Sequence, residues 1–135
     1  MKKVIFTIVF AVTTLCTLAQ SSDSAPQMAN SSIQNKNAKF LLFPTKNISI
    51  FLKLDTSTGE IWMVQIGLGD DTAMEVKFPD WGYPIVKKEE ESNGRFMLYP
   101  TQNIYNFVLV DQIDGRVWQA QWSFKSENRG ILRIR

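Results

Sequence analysis

The chain has 135 residues, 15 Lys and Arg against 13 Asp and Glu, and no histidine. That composition excludes Ser-His and Cys-His catalysis and histidine-ligated zinc or haem. It also excludes the strongly basic surface that binding to nucleic acid requires.

The first 19 residues read as a secretory signal peptide: Lys2 and Lys3, an apolar run from Val4 to Val12, and a small-residue exit at Ala19 before Gln20. The apolar run is too short to span a bilayer, so no membrane insertion is expected after cleavage. Leu15 stands where a lipidation signal has a small residue, and Cys16, the sole cysteine, leaves with the leader. The mature chain from Gln20 then balances 13 basic against 13 acidic residues. With about 115 residues and no disulfide, it must hold itself together by packing one core. Residues 20–38, rich in Ser, Asn and Gln, read as a flexible leader.

From Lys39 the chain repeats itself without a gap, Phe40 recurring as Phe96 at an offset of 56 residues. Pro44, Thr45 and Asn47 recur as Pro100, Thr101 and Asn103; Asp55, Gly59, Trp62 and Gln65 recur as Asp111, Gly115, Trp118 and Gln121. Repeat 1 covers 39–78, a linker 79–94 and repeat 2 95–135. Apolar residues alternate with period two between turn residues, so each repeat reads as four antiparallel strands. The first strand is 39–43 (then 95–99), followed by a Pro-Thr-x-Asn turn in which Asn takes the left-handed region. The second strand is 48–54 (104–110), ending in a hairpin with Gly59 or Gly115 at positive φ. The third is 60–66 (116–124), and a short fourth lies near 73–78 (131–134). The linker reads as a surface segment with an edge strand at 84–88. The fold expected is all-β: a pseudo-two-fold sandwich or barrel built from two half-cores, with two propeller-like blades as the alternative.

Asp55 and Asp111 could form a carboxylate pair, but an Asp opening a turn is explained by hydrogen bonds from amides just beyond it. Asp70 and Asp71 lack EF-hand spacing, and no metal, cofactor or catalytic residue is assigned. The candidate ligand-binding residues are Trp62, Trp118, Trp122, Trp81, Tyr83, Gln65 and Gln121. Trp62 and Trp118 stack sugars or anchor the core; Trp81 and Tyr83 sit on a Pro-bracketed turn; Gln65 and Gln121, with Gln119, make a polar face opposite the tryptophans.

The repeated pattern Pro-Thr-x-Asn, Phe, Asp, Gly, Trp and Gln resembles a duplicated module of small secreted Bacteroidetes proteins of unknown function, over both repeats. The Leu18-Ala19-Gln20 junction resembles signal-peptidase sites of that phylum, and Ser24 and Thr72 lie in tripeptides resembling its O-glycosylation motif. The resemblance implies export, to periplasm or beyond, and no activity. The function expected is a non-catalytic binding module whose partner is a protein or a glycan. The alternative is a lectin in which two-blade chains assemble as homo-oligomers.

Overall fold

The computed structural model describes residues 35, 37–69, 71–79 and 85–135. Eight strands make two separate antiparallel four-stranded sheets in strict chain order. The first holds β1 (Phe40–Pro44), β2 (Ile50–Asp55), β3 (Ile61–Gln65) and β4 (Met74–Lys77). The second holds β5 (Phe96–Pro100), β6 (Asn106–Asp111), β7 (Val117–Gln121) and β8 (Gly130–Arg133). The two registers are the same after the 56-residue shift: Phe40 faces Asp55 as Phe96 faces Asp111, and Lys53 faces Trp62 as Leu109 faces Trp118.

Side-chain hydrogen bonds set both turns. The Thr45 hydroxyl donates to the Ile50 carbonyl at 2.9 Å, and the Asn47 side chain accepts the Ser49 amide at 2.9 Å. Thr101 and Asn103 repeat both bonds to Asn106 and from Tyr105. No described residue other than glycine has positive φ. Asn47 and Asn103 therefore shape the turn through their side-chain oxygens, not through left-handed backbone as expected. In the hairpin, Asp55 Oδ1 accepts the Ser57 amide at 2.9 Å, and Asp111 Oδ1 the Ile113 amide at 3.0 Å. Gly59 and Gly115 close these turns at φ 80° and 71°.

The sheets share one core, and the faces that meet in it are not equivalent. Sheet 1 buries Leu41, Ile50, Leu52, Leu54, Ile61 and Met63. Shifted by 56 these are Met97, Asn106, Val108, Val110, Val117 and Gln119, all only half-buried on the outside of sheet 2. Sheet 2 buries Phe96, Leu98, Phe107, Leu109, Trp118 and Ala120. Their counterparts Phe40, Leu42, Phe51, Lys53, Trp62 and Val64 lie on the outside of sheet 1, exposed or half-buried. The packing is thus head to tail. A pseudo-two-fold sandwich would join like faces, and that expected relation is replaced by a stacked one; the separate ladders likewise make no barrel.

The choice of face follows from a few exchanges. Leu109 occupies in sheet 2 the position of Lys53 in sheet 1, so only the second sheet can bury that side at no charge cost. Ile50 and Met63 correspond to Asn106 and Gln119, so only the first sheet can bury the other side without stranding amides.

The link between the sheets is not a plain surface segment. Ile85 and Val86 pack on the core beside Phe78, and the described part of the expected edge strand is instead a bend leading into a 3-10 turn at Lys88–Glu90. Beyond it the Phe96 amide donates to the Thr56 carbonyl at 2.8 Å and the Gly94 amide to the Thr56 hydroxyl at 2.9 Å. The start of sheet 2 therefore roofs the hairpin of sheet 1: a Cβ added at Gly59 would stand 3.1 Å from both Ile85 and Phe96.

Head-to-tail packing predicts unequal costs for two equivalent substitutions. Trp118→Ala, which empties a core site, should cost about 3–5 kcal/mol, and Trp62→Ala less than about 1.5 kcal/mol. Urea denaturation of dilute protein measures both; equal costs would contradict the packing.

Candidate binding face

The outer side of sheet 1 is built by strand alternation from three rows. Leu42, Lys53, Trp62 and Lys77 lie side by side across the four strands, flanked by Pro44, Phe51, Val64 and Glu75, with Phe40 beyond. Phe40 meets Trp62 edge-on at 6.3 Å and 72°, which repeats the buried Phe96–Trp118 pair at 6.1 Å and 60°. One aromatic motif thus anchors the core in sheet 2 and faces outward in sheet 1, where Phe40 is 49% and Leu42 43% exposed. Lys53 Nζ stands 4.5 Å over the Trp62 ring and is paired with Glu75; Lys77 pairs with Glu60 at 2.6 Å. The result is a face on which Phe40, Leu42, Phe51, Trp62 and Val64 are interleaved with paired charges, Lys53 lying over the Trp62 ring.

The structure separates the other candidates. Trp118 is 7% and Trp122 1% exposed, so both serve the core. The Trp122 indole N–H donates to the Ile104 carbonyl at 2.9 Å, and its ring packs against Tyr105 and Phe124. Gln65 and Gln121 do not share a polar face. Gln65 pairs with Ile50 on the side of sheet 1 that turns inward, whereas Gln121 pairs with Asn106 on the outside of sheet 2 and donates its amide to the Asn128 carbonyl at 2.9 Å. This follows from the head-to-tail packing, which turns equivalent positions in opposite directions with respect to the core. Thr72 is exposed and its hydroxyl bonds the Gly69 carbonyl at 2.9 Å. Trp81, Tyr83, Asp70 and Ser24 lie outside the described residues.

The outer side of sheet 2 holds Gln119 and Gln121 of the expected polar face among apolar residues that the sequence does not mark. It carries Met97, Tyr99, Val108, Val110, Val117 and Leu132, with Leu132 71% exposed. The signal that finds it is the 56-residue shift of the buried set of sheet 1.

The carboxylates have structural work. Asp111, fully buried, accepts from Arg95 Nε at 3.1 Å and Nη2 at 2.9 Å, from Arg116 Nη2 at 2.8 Å, and from the Ile113 and Asp114 amides. Burial alone would raise its pKa, but Arg95, the hairpin amides and Arg116 outweigh it and hold the carboxyl down to about 2. The bonds to Asp111 in turn push the Arg95 pKa up against the desolvation that lowers it. Asp55 has Lys39 at 3.8 Å in the equivalent place, with the Ser57 hydroxyl bonded to it at 2.6 Å. Each carboxylate is occupied by amides of its own hairpin and by the basic residue that precedes the first strand of its sheet, Arg95 for Asp111 and Lys39 for Asp55. Among the described residues no three Asp, Glu, Cys or His side chains converge on a metal position.

Comparison with protein-family models, with curated proteins and with solved structures gives no match in any of the three.

The Asp111 cluster predicts an acid limit. Because its carboxyl titrates lower in the folded chain than in the unfolded one, its contribution of about 2 kcal/mol is complete above pH about 4 and drains away as pH falls toward 2. Asp111→Asn should remove this dependence and destabilise the fold by about 2–3 kcal/mol at neutral pH, leaving the buried Arg95 with only the half-exposed Asp114 at 2.6 Å as charge partner. Denaturation midpoints measured from pH 7 to pH 2 check both.

Proposed function

We propose that the chain acts as an exported, non-catalytic binding or interaction module whose contact surface is the outer side of sheet 1. The observation that carries this reading is the repetition of one aromatic pair: Phe40 and Trp62 stand outside in the same edge-on arrangement that Phe96 and Trp118 hold in the core. Aromatic and aliphatic side chains interleaved with paired charges make a surface of the kind that recognition uses, and holding Phe40 and Trp62 on it adds nothing to the core. Export rests on the N-terminal pattern of Lys2, Lys3 and the apolar run that follows.

A protein partner fits this face better than a glycan. Lys53 covers one side of the Trp62 ring at 4.5 Å, where a sugar would have to stack. Of the other aromatic candidates, Trp118 and Trp122 are enclosed.

Retention on immobilised wild-type and Trp62→Ala chains tests the reading, with envelope and culture-fluid proteins of the source cell and an oligosaccharide array as probes. The expected result is a protein retained by the wild type and held at least about tenfold more weakly by Trp62→Ala, whose fold survives. Retention that treats the two chains alike, or retention by neither, contradicts it. Sugars retained in place of proteins would transfer the same face to the lectin reading.

A further inference from the structure

We infer that the occupant of the exposed face of sheet 1 is a second copy of this chain, stacked head to tail through the exposed face of sheet 2. The inference rests on the reading of the first face as a contact surface and names its partner.

The internal joint supplies the pattern. In it, the side bearing Phe96, Leu98 and Trp118 is buried in one core with the side bearing Leu52, Leu54 and Ile61. One side of each kind remains uncovered. Phe40, Leu42 and Trp62 reproduce the first set on sheet 1, and Val108, Val110 and Val117 reproduce the second on sheet 2. The two uncovered sides are therefore complementary to each other, and neither is complementary to itself. A second chain placed by applying twice the operation that relates sheet 1 to sheet 2 sets its sheet 1 on the open side of the first chain's sheet 2, repeats the joint and leaves the same two sides open at the ends.

The hairpins carry the same message independently. The sheet 1 hairpin is roofed: Phe96 donates its amide to Thr56 and crowds Gly59. At the sheet 2 hairpin no described residue lies within 4 Å of where a Gly115 Cβ would stand. In the stack, Phe40 of the next copy takes the place of Phe96, covering Gly115 and donating its amide to the Gln112 carbonyl.

Lys53, Asn106 and Gln119, where the internal joint has Leu109, Ile50 and Met63, make the joint between chains wetter than the one within. Association is then reversible and dependent on concentration. A contact between unlike faces closes into a ring when the rotation allows and otherwise runs on as a filament. A ring of about four to eight such four-stranded units contains roughly two to four chains.

The test uses two variants of the mature chain that each block one face: Leu42→Lys on sheet 1 and Tyr99→Lys on sheet 2, both at exposed positions. Light scattering over a concentration series should show the wild type associating, each variant alone staying a single chain, and an equimolar mixture of the two forming dimers and nothing larger. The mixture retains one intact pair of faces, and dimer formation also shows that both variants are folded. A wild type that remains a single chain at every concentration overturns the inference, while the proposed contact surface stands or falls separately on the retention experiment. Self-association of either variant alone, or a mixture that stays monomeric when the wild type associates, overturns it as well, since contact then runs through like faces or elsewhere.

Discussion

A four-stranded antiparallel sheet has two sides, and when two such sheets share a single core each can bury only one of them. In a chain made of two copies of the same sheet, the partition between sides decides everything that follows. Here it falls on opposite sides in the two copies. Sheet 1 turns Leu52, Leu54 and Ile61 inward, and sheet 2 turns inward the side that carries Phe96, Leu98 and Trp118. The core is therefore a joint between unlike surfaces, and the molecule ends in one surface of each kind. The placement of Trp62 outside, the burial of Trp118 and the crowding at Gly59 all depend on that asymmetry.

Small departures between the repeats stabilise this arrangement. Lys53 for Leu109 keeps the outer side of sheet 1 from serving as a core, and its ion pair with Glu75 spans β2 to β4 over the Trp62 ring. Lys39 for Arg95 makes the same kind of distinction at the hairpin. The guanidinium, itself buried, reaches Asp111 through two nitrogens, whereas the Lys39 ammonium lies in solvent 3.8 Å from Asp55. Arginine suits the enclosed site because its planar donors can satisfy a buried carboxylate from one side. Asp55 meets its needs locally through Ser57 and Thr58, which lie under the roof formed by the second sheet.

Much of the fold can be read from the sequence because period-two alternation and turn chemistry are local. The strand count, the two hairpins, the glycines at positive φ and the role of Asp55 and Asp111 all follow from residues a few positions apart. The packing of the sheets does not, because both sides of the first repeat look apolar: Phe40, Leu42, Phe51 and Trp62 alternate with Leu41, Phe43, Leu52 and Ile61. Duplication suggests like facing like, and only three exchanges mark against it: Lys53 against Leu109, and Ile50 and Met63 against Asn106 and Gln119. Ile85 and Val86 reached the core unannounced because they sit beside a run of charges that reads as solvent-exposed. Trp122 has no aromatic counterpart, since Ile66 stands at its place in the first repeat. The structure shows why: one position is enclosed, the other 53% exposed. At the site, Trp62 stands out in the sequence, whereas the apolar side of sheet 2 does not. It mixes Met97, Tyr99, Leu132 and three valines with Asn106, Gln119 and Gln121, so no run of one character marks it.

Cys16 is the one cysteine of the sequence, so in a chain that starts at Gln20 single introduced thiols report directly on which sides are covered. The measurement that reaches the central claim is the rate of thiol labelling in four variants, Val64→Cys, Ala120→Cys, Leu52→Cys and Val108→Cys, taken at a dilution that keeps chains single. Head-to-tail packing predicts that Val64→Cys and Val108→Cys label quickly, while their equivalents Ala120→Cys and Leu52→Cys label only as fast as the chain unfolds. Equal rates within each equivalent pair would mean that like sides meet in the core, and a joint between unlike surfaces would be refuted.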